Sequence, residues 1–392
     1  MIEPLALPAS PAVLDLLPAL AAAAAGDAPI APYAAGAPRP ELAAYDPDSL
    51  PEAAALVIST SGSTGEAKRA VLTASALAAS ADATHERLGG PGQWLLALPP
   101  HHIGGLQVLL RSMRAGVRPA VLDLSDGFDP GAFATAVAEL DPRRRRYVSL
   151  VPVQLTRILQ DPRATAAAAE LDALLLGGQG LDPTLRARAE AAGLTIVATY
   201  GMTETAGGCV YDGKPLAQVR VGVEDTGRIL LGGPTLASGY LGEAAATATA
   251  FHGSGDQRWF RTDDAGHLDP DGRLHVDSRL DDLITTGGLK VAPRLVEEAI
   301  RARLPEVIDV CAVGTADPVW GEAVSVAVVL AASEVSGGVD RLATADLRNR
   351  LRGDLPAHAL PRRALVVAAL PTRGPGKPDR GAVRALFVPM GE

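Results

Sequence analysis

Short apolar runs rich in β-formers alternate with helical patterns over the first half of the chain. The β candidates lie at residues 56–59, 94–98, 119–124, 147–152, 173–176 and 195–200. Helix candidates lie between them, for example at 75–88, capped by Thr73, and at 182–192, ended by Gly193. This alternation predicts right-handed βαβ units and a largely parallel sheet. Ligands should therefore bind at the carboxyl ends of its strands.

The pattern of predicted strands, turns and helices changes twice after residue 201. First come short β runs broken by turn signals, as at 227–231 and in the hairpin-like HLDPDGRLHVD of 267–277. A glycine-containing segment then leads to a helix at 293–304, strands between 307 and 330, and a Gly/Pro-rich loop near the end. These changes indicate a β-rich subdomain followed by a separate α+β region.

Chain length and composition bound the class of protein. With 392 residues the chain can form two or three domains, because a single core stops growing at roughly 250 to 300 residues. We predict an α/β fold with a large domain at 1–278, which includes the β-rich subdomain, and a small α+β domain at 279–392. Apolar residues make up 47% and charged residues 21%, which is typical of a globular enzyme. The net charge of −9 argues against nucleic acid as the main partner.

Cysteine usage and targeting signals indicate an intracellular setting. Cys209 and Cys311 lie far apart, without the paired spacing of a zinc site or a disulfide framework. The apolar stretch 16–25 is preceded by Glu3 and Asp15 rather than by a basic region, so we do not expect a signal peptide. No run reaches the roughly 18 apolar residues of a membrane span. We expect a cytoplasmic protein that does not insert into membranes.

The segment STSGSTGEAK at 59–68 has the composition of a phosphate-binding loop. It follows a buried-strand pattern, its glycines let the backbone approach a polyphosphate, and its amides, hydroxyls and lysine can neutralise charge. It lacks the GxxxxGK[ST] spacing of a Walker loop, and no GxGxxG lies nearby. On composition alone a flexible surface loop is the better interpretation, so the functional one depends on other segments. The candidate phosphate ligands are Ser59, Thr60, Ser61, Gly62, Ser63, Thr64, Gly65 and Lys68.

Four motifs, in order, resemble the adenylate-forming superfamily of acyl-CoA synthetases, adenylation domains and luciferases. STSGSTGEAK resembles its phosphate loop, and TYGMTET at 199–205 resembles its YGxTE segment. RLDDLITTGGLKVAPRLVEE at 279–298 resembles its hinge region, and PTRGPGK at 371–377 resembles its terminal lysine loop. The resemblance implies ATP, Mg²⁺ and coenzyme A, with the C-terminal domain as a mobile lid. It also implies that a carboxylate first attacks ATP to give an acyl-adenylate, from which the thiol of CoA takes the acyl group.

The resemblance implies roles for TYGMTET and for a glycine-rich turn. Thr203 would donate to an α-phosphate oxygen, and Glu204 is a hard oxygen ligand suited to Mg²⁺. Tyr200 would stack on adenine, and the GGQG turn, with Gly178 and Gln179, would line the base. In isolation, Glu204 would instead be an exposed carboxylate at a helix start, Tyr200 a core residue and GGQG an ordinary turn.

Further residues are implied for the ribose and the hinge. In WFRTDDAG the family usually has Thr-Gly-Asp, whose aspartate holds the ribose hydroxyls and aligns with Asp264. Asp263 replaces the glycine, which puts the local backbone in doubt. Arg279 resembles the second ribose contact, with a structural salt bridge as the alternative. Asp281 lies where the family pivots its small domain.

The C-terminal domain would supply a lysine and the path for CoA. Lys377 would place a cation where negative charge develops as the carboxylate attacks the α-phosphate. PTRGPGK stands where PKTxSGK is commoner, but the spacing to the lysine is kept. By resemblance, the small domain re-docks between the half-reactions, which removes Lys377 and brings Gly287 and Gly288 to the pantetheine channel.

Two further segments resemble the compact o-succinylbenzoate-CoA ligases of menaquinone biosynthesis. They are LPPHHIGGLQVLLRS at 98–112 and GMTETAGGCVYDG at 201–213. Gly201, Gly207 and Gly208 would let a flat aryl ring lie against the backbone. His102, which joins Thr203, Glu204 and Lys377 in the catalytic set, would help to close the acyl pocket. Arg111 would charge it, and for both side chains a helix-surface or core position is the alternative.

Three functional hypotheses remain at this point. The first is o-succinylbenzoate-CoA ligase, and the second is a CoA ligase for another aryl or medium-chain acid. The third, of a different class, is a non-catalytic nucleotide-binding module. The set Lys68, Glu204, Asp264 and Lys377 argues against the third. The sequence leaves a homo-oligomer open.

Overall fold

The computed structural model describes residues 1–42, 45–46, 50–60, 68–178, 180–330, 344–373 and 377–387. Its strands are, in chain order, β1 (Glu3–Leu7), β2 (Ile30–Ala34), β3 (Ala54–Ser59), β4 (Arg69–Thr73), β5 (Gln93–Leu96), β6 (Ala120–Val121), β7 (Arg146–Leu150), β8 (Ala173–Leu176), β9 (Ile196–Met202), β10 (Gly207–Tyr211), β11 (Lys214–Pro215), β12 (Arg220–Val223), β13 (Arg228–Gly232), β14 (Gly239–Tyr240), β15 (Phe251–His252), β16 (Trp259–Leu268), β17 (Leu274–Arg279), β18 (Ile284–Thr286), β19 (Leu289–Val291), β20 (Val307–Asp317), β21 (Gly321–Leu330), β22 (Arg363–Val366), β23 (Thr372–Arg373) and β24 (Lys377–Pro378). Its helices are α1 (Leu17–Ala25), α2 (Ala74–Arg87), α3 (Ile103–Arg114), α4 (Pro130–Ala138), α5 (Pro152–Gln160), α6 (Pro162–Ala168), α7 (Pro183–Ala191), α8 (Ala244–Ala250), α9 (Pro293–Arg303), α10 (Thr344–Leu351) and α11 (Arg380–Ala385).

The chain divides into two compact units, each assembled from more than one stretch of sequence. The first unit comprises Met1–Gly222, Leu230–Thr262 and Leu268–Leu274. The second comprises Val223–Ile229, Asp263–His267 and His275–Glu392. The second unit therefore contains two short segments that precede residue 278. The boundary expected at that residue stays a prediction.

Two sheets lie wholly within the first unit. One has the order β1-β2-β3-β4-β14, and its first three strands are parallel. The other has the order β11-β10-β9-β8-β7-β5-β6, in which the run from β9 to β6 is parallel and β10 and β11 are antiparallel. The prediction of an α/β fold with a largely parallel sheet is confirmed. The strand expected at 119–124 is shorter in the structure, where β6 has two residues.

Local sequence signals set the helix boundaries of this unit. The side chain of Thr73 accepts a hydrogen bond from the backbone N of Ala76 at 3.2 Å, so α2 begins where the cap was predicted. Asp182 caps α7 in the same way, accepting from the N of Thr184 and of Leu185. Fully buried residues of β5, β7 and β8 pack against α4 and α5, and each contributes about 1.5 to 3 kcal/mol of hydrophobic stabilisation. The strand residues include Leu95, Val148 and Leu174, and the helix residues include Phe133 and Ile158.

The β-rich region that follows forms a third sheet. Its order is β12-β13-β16-β15, and β17 pairs with β16. The turn between β16 and β17 lies inside the hairpin predicted at 267–277. The Asp269 carboxylate closes this turn by accepting from the N of Asp271 at 3.0 Å and from the N of Arg273 at 2.8 Å.

The second unit is a small α+β structure. Its sheet has the order β19-β18-β21-β20, with β22 parallel to β21. Residues of α9 and α10 bury one face of this sheet, and Val383 of α11 packs on the other face beside Cys311 and Val313. The helix predicted at 293–304 and the strands predicted between 307 and 330 match α9, β20 and β21.

Candidate active site

The predicted site segments of the first unit lie at one edge of the parallel sheet. β5 leads to His101 and His102, β8 ends at Leu176 just before Gly178, and β9 ends in the TYGMTET motif. Because these strands are parallel, their carboxyl ends lie along the same edge. The candidate segments therefore lie at the carboxyl edge where the sequence predicted a ligand site, and their roles stay predictions.

A buried tyrosine joins the phosphate loop to the predicted metal ligand. The Tyr240 hydroxyl donates to Oε1 of Glu204 at 3.0 Å. The Nζ of Lys68 lies over the Tyr240 ring, 5.1 Å from its centroid. Glu204 and Tyr240 are each only 8% exposed. The structure thus brings Lys68 and Glu204 to one place. Tyr240 escaped sequence analysis because a lone tyrosine in a short β run carries no chemical signal.

The turn that carries Thr203 and Glu204 is fixed by several hydrogen bonds. Thr203–Thr205 form a 3-10 turn, and the Thr205 hydroxyl accepts from the N of Met202 at 3.0 Å and donates to the carbonyl of Gly207 at 2.7 Å. The carbonyl of Glu204 accepts from the N of Ala237 at 2.8 Å. Thr203, Glu204 and Thr205 are all buried, so these bonds lie away from competing water.

Ala206, directly after this turn, adopts the left-handed conformation with φ of 52°. Such a backbone costs of order 1 kcal/mol in a residue other than glycine. Its carbonyl accepts two hydrogen bonds, from Ser80 Oγ of α2 at 2.9 Å and from Gln107 Nε2 of α3 at 2.6 Å. These two bonds offset the strain and orient the turn. Neither Ser80 nor Gln107 was singled out from the sequence.

The base of the phosphate loop is closed by its backbone. The N of Thr60 donates to the carbonyl of Lys68 at 2.7 Å, and Ser59 ends β3. The loop candidates Ser61, Gly62, Ser63, Thr64 and Gly65 lie outside the described residues, and so does Gln179.

Glycines allow close approach of the strand ends expected to line adenine. A Cβ on Gly177 would lie 2.7 Å from Oγ1 of Thr199, the hydroxyl that donates to the carbonyl of Leu176 at 3.1 Å. Gly178 has φ of 80°, which favours glycine. Tyr200 follows Thr199 in β9 and is partly buried. The adenine-binding roles of Gly178 and Tyr200 stay predictions.

The three glycines predicted for the acyl pocket have different local reasons. A Cβ on Gly201 would lie 2.1 Å from the carbonyl oxygen of Gly207, so the pairing of β9 with β10 itself requires glycine there. A Cβ on Gly207 would meet Cγ of Gln107 at 3.3 Å, and one on Gly208 would meet Cε1 of Tyr211 at 3.0 Å. Side chains of α3 and β10 therefore border these positions. Their contact with an aryl ring stays a prediction.

Arg111 lies in a buried aromatic cluster. Its side chain is 3% exposed, its Cζ lies 5.1 Å from the Trp94 ring centroid, and its Nη2 donates to the Tyr211 hydroxyl at 3.3 Å. That hydroxyl also shares a 3.0 Å hydrogen bond with Thr84. Within the described part of the chain, Arg111 Nε has no hydrogen-bond partner. Arg111 is therefore a buried cation with an unused donor.

The two histidines before α3 lie ring against ring. Their centroids are 4.2 Å apart, and His102 is the N-cap residue of α3. Burial lowers the pKa of His101 to about 4, with a further lowering from His102. Desolvation by neighbouring atoms also lowers the pKa of His102, although this residue is exposed to solvent. At neutral pH His101 is therefore uncharged. The catalytic role of His102 stays a prediction.

The second unit contains the residues predicted for the ribose. Arg279 Nη2 lies 3.5 Å from Oδ2 of Asp263, and Arg228 Nη1 lies 3.3 Å from Oδ1 of the same carboxylate. Asp263, the residue that replaces the usual glycine, therefore bridges two arginines. This contact corresponds to the salt-bridge alternative for Arg279. The ribose roles of Arg279 and the partly buried Asp264 stay predictions.

The predicted hinge and CoA residues lie in turns of the second unit. Asp281 is exposed in the 3-10 turn Leu280–Asp282. Gly287 and Gly288, with φ of 58° and 78°, form the two-residue turn between β18 and β19. A Cβ on Gly287 would lie 2.8 Å from Cε3 of Trp320, so this turn packs closely on an indole ring.

Lys377 lies at the end of a short antiparallel ribbon. Its backbone pairs with Arg373, and Pro378 pairs with Thr372. The N of Asp379 donates to the carbonyl of Pro371 at 2.8 Å and closes the base of the ribbon. The side chain of Lys377 lies outside the described residues.

The remaining properties concern the cysteines, possible metal ligands and membrane-spanning helices. Cys209 and Cys311 are free and buried, and burial raises the pKa of each thiol to about 12. No group of three or more His, Cys, Asp and Glu side chains suited to a metal ion occurs in the described part of the chain. Over the same residues, every helix is too short or too polar to cross a bilayer.

Two family models match the sequence. One, described as AMP-binding enzyme, matches residues 8–241, and the other, described as AMP-binding enzyme C-terminal domain, matches residues 296–377. The first covers more than half of the 392 residues. The chain belongs to the AMP-binding enzyme family, which confirms the superfamily predicted from its motifs.

Within this family, the chain is similar to enzymes named as ligases of 2-succinylbenzoate. The sequence is 47% identical over 342 residues to a probable 2-succinylbenzoate–CoA ligase of Mycobacterium tuberculosis, covering 87% of this chain and 86% of the relative. A solved structure of o-succinylbenzoate CoA synthetase (MenE) from Bacillus subtilis, in complex with the acyl-adenylate intermediate OSB-AMP, has a TM-score of 0.78 at 21% identity, covering 98% of this chain and 88% of that one. Another structure of that enzyme, in complex with ATP and a magnesium ion, has a TM-score of 0.71 at 23% identity, covering 93% and 80%. The structural likeness confirms the predicted fold.

Proposed function

We propose that this protein ligates o-succinylbenzoate, also called 2-succinylbenzoate, to coenzyme A at the expense of ATP, with release of AMP and pyrophosphate. The reaction would be a step of menaquinone biosynthesis. The main support for the reaction class is that Tyr240 contacts both Lys68 and Glu204 in a chain of the AMP-binding enzyme family. The choice of acid is supported by the 47% identity to a relative of nearly the same length.

The first half-reaction forms the acyl-adenylate. An oxygen of the substrate carboxylate attacks the α-phosphorus of ATP, the bond from that phosphorus to the bridging oxygen breaks, and pyrophosphate leaves. Thr203 would donate to an α-phosphate oxygen, and Lys68 would neutralise the departing phosphates. Lys377 would place its ammonium at the developing charge. Catalysis consists of positioning and electrostatics, without a protein nucleophile.

The residues present fit a magnesium ion. Mg²⁺ is usually held by one or two carboxylates together with substrate phosphates, and Glu204 is a buried carboxylate whose partner Tyr240 also contacts Lys68. Glu204 would hold the ion, which when bound neutralises phosphate charge. The Tyr240 hydroxyl, which donates to this carboxylate, would orient it for that role.

The second half-reaction transfers the acyl group. The thiol sulfur of CoA attacks the carbonyl carbon of the mixed anhydride, the bond from that carbon to the AMP oxygen breaks, and the thiol proton passes to solvent. Neither cysteine of the chain competes as a nucleophile, because with a pKa of about 12 each remains a neutral thiol. Gly287 and Gly288 would border the pantetheine, and Asp281 would be the pivot between the two steps.

The acid's second carboxylate sets a physical requirement. A buried, unpaired charge costs several kcal/mol, so this carboxylate needs a cation or several donors. Arg111 is such a cation, because it is buried and its Nε has no partner among the described residues. His102, at the start of the same helix, could reach it directly or through water.

A panel of acids tests the proposal. Pyrophosphate exchange should be fastest with 2-succinylbenzoate, and Arg111→Ala or His102→Ala should raise KM for this acid while sparing an analogue without the second carboxylate. A preference for benzoate or a fatty acid would favour a CoA ligase for another aryl or medium-chain acid. Absence of exchange with every acid would favour a non-catalytic nucleotide-binding module. We place the enzyme in the cytoplasm, where ATP and CoA are available.

A further inference from the structure

A partly buried ionic cluster in the second unit includes a residue close to the lysine ribbon. Arg380 lies three residues after Lys377, at the start of α11, and its side chain is 24% exposed. Its Nη1 lies 2.7 Å from Oε1 of Glu297, and its Nε lies 3.3 Å from Oδ2 of Asp282. Nη1 also donates to the carbonyl of Ala312. One guanidinium therefore binds groups on three different elements.

Each partner of Arg380 has its own place in the unit. Glu297 lies in α9, is 9% exposed in its side chain, and accepts from the N of Ala312 at 2.9 Å. Ala312 lies in the central part of β20. Asp282 is the last residue of the 3-10 turn Leu280–Asp282, next to the predicted pivot Asp281. Glu297 and Ala312 thus anchor Arg380 to the core of the unit, while Asp282 connects it to the hinge turn.

The two ion pairs offset the free-energy cost of burying the charge of Arg380. Arg380 loses hydration on burial, and the attraction of Glu297 and Asp282 more than compensates, so the pKa of the guanidinium is raised. A planar guanidinium can satisfy several acceptors in fixed directions, which an ammonium cannot do. Removing one acidic partner would leave the arginine attached to the core but would release the hinge turn.

The position of Arg380 gives this cluster a consequence for catalysis. Only Pro378 and Asp379 separate it from Lys377, and the N of Asp379 closes the base of the ribbon on Pro371. A movement at Asp281 would be transmitted to Asp282, and the ion pair would transmit it to that base. We propose that Arg380 is a positioning residue for adenylation: it couples the hinge turn to the ribbon and thereby sets the orientation of Lys377. This role rests on the proposed function.

The test uses the neutral variant Asp282→Asn in the full-length protein. We expect adenylation, measured as pyrophosphate exchange with 2-succinylbenzoate, to fall roughly tenfold in kcat with little change in KM, since small misplacements of a catalytic group cost rate rather than binding. Thioester formation from supplied acyl-adenylate should stay within about twofold of wild type, because Lys377 does not act in it. Arg380→Lys should give an intermediate loss.

Asp354→Asn is the matched control. Asp354 pairs with Arg303 at 2.7 Å in the same unit, and its side chain is 27% exposed, the same value as Asp282. This variant should change neither half-reaction. Any general effect of removing a carboxylate ion pair from the unit would appear equally in both variants.

Hydrogen exchange provides a readout that needs no activity. In Asp282→Asn the backbone amides of Thr372, Arg373, Lys377 and Asp379 should exchange faster, while those of α9 and β20 stay as protected as in the wild type. Unchanged exchange, unchanged adenylation, or equal loss of both half-reactions would overturn the role of Arg380. If the wild type itself lacked exchange of pyrophosphate with this acid, the proposed function would fail, and the hydrogen-exchange result would still decide the coupling.

Discussion

The turn that carries Glu204 and the ribbon that carries Lys377 are held in opposite ways. Thr203, Glu204 and Thr205 are buried, and hydrogen bonds from four separate segments fix the turn and the alanine that follows it. The ribbon of β23 and β24 has two residues in each strand. Two residues after the ribbon, the guanidinium of Arg380 pairs with Glu297 and with Asp282 of the hinge turn.

The difference matches the work proposed for each region. Phosphate contacts must be in place whenever a nucleotide is bound, so a rigid, preorganised turn is favourable. Under the proposed function, Lys377 is needed in one half-reaction and must be absent from the other, so it belongs on an element with few contacts. Regions with few buried contacts open at low free energy, which suits a part that moves.

The largest effect expected is that of Lys377→Ala on adenylation. Loss of a single donor at a developing charge typically costs about 10² to 10³ in kcat. Thioester formation from supplied acyl-adenylate should survive. Single-turnover measurement of each half-reaction checks this. A parallel fall in both would show that Lys377 does not belong to the first step alone.

The sequence predicted the fold well, and it predicted which segments share one edge of the parallel sheet. Alternating β and helical patterns report burial on a parallel sheet, and the caps at Thr73 and Asp182 report local hydrogen bonds. Both are short-range signals. The motif segments at Tyr200 and Gly178 are at the same sheet edge because parallel strands put them there. Topology alone therefore brings these candidate site segments together.

The contacts that complete each region were not predictable in the same way. Tyr240 meets Glu204 across 36 positions of sequence, and Arg380 meets Glu297 across 83. Nothing near these residues in the sequence signals such partners. The strained backbone of Ala206 could not be predicted from the sequence either, since alanine is not a residue expected at positive φ. The motifs therefore did not predict side-chain contacts between residues far apart in the sequence.

Glu204→Gln tests the rigid turn directly. The amide keeps the shape and can still accept from Tyr240, but it loses the charge that holds a hard cation, so we expect a loss of about 10² in activity and a higher Mg²⁺ requirement. Titration of pyrophosphate exchange against Mg²⁺ measures both. Glu190→Gln, a change in the surface pair with Arg186, is the control. A wild-type Mg²⁺ dependence at full rate would remove Glu204 from the metal site.

Tyr240→Phe should have a smaller effect in the same direction. The ring under Lys68 is kept, but the hydroxyl that orients the Glu204 carboxylate is lost, and loss of a supporting ligand contact typically costs about 10-fold or more. Tyr147→Phe is matched, since that hydroxyl donates to the carbonyls of Leu88 and Gly90 instead. Both variants should lose similar stability in urea unfolding, and only Tyr240→Phe should slow adenylation. Equal kinetics in the two variants would make Tyr240 purely structural.

The last effect expected is on stability rather than activity, and it depends on pH at the entrance to α3. Burial holds the pKa of His101 at about 4 in the folded protein, below the ordinary 6.5. As pH falls from 6.5 towards 4, the unfolded chain takes up a proton at this position and the folded chain does not, so the free energy of unfolding falls. Above pH 6.5 both states are neutral and the term vanishes. His101→Gln, which cannot titrate, should therefore gain stability relative to the wild type over that window, whereas the difference between the two proteins should be constant above pH 7. Urea unfolding at a series of pH values measures the difference directly and cancels the carboxylates that both proteins share. A difference that does not change with pH would mean that the His101 ring is hydrated and titrates normally in the folded state.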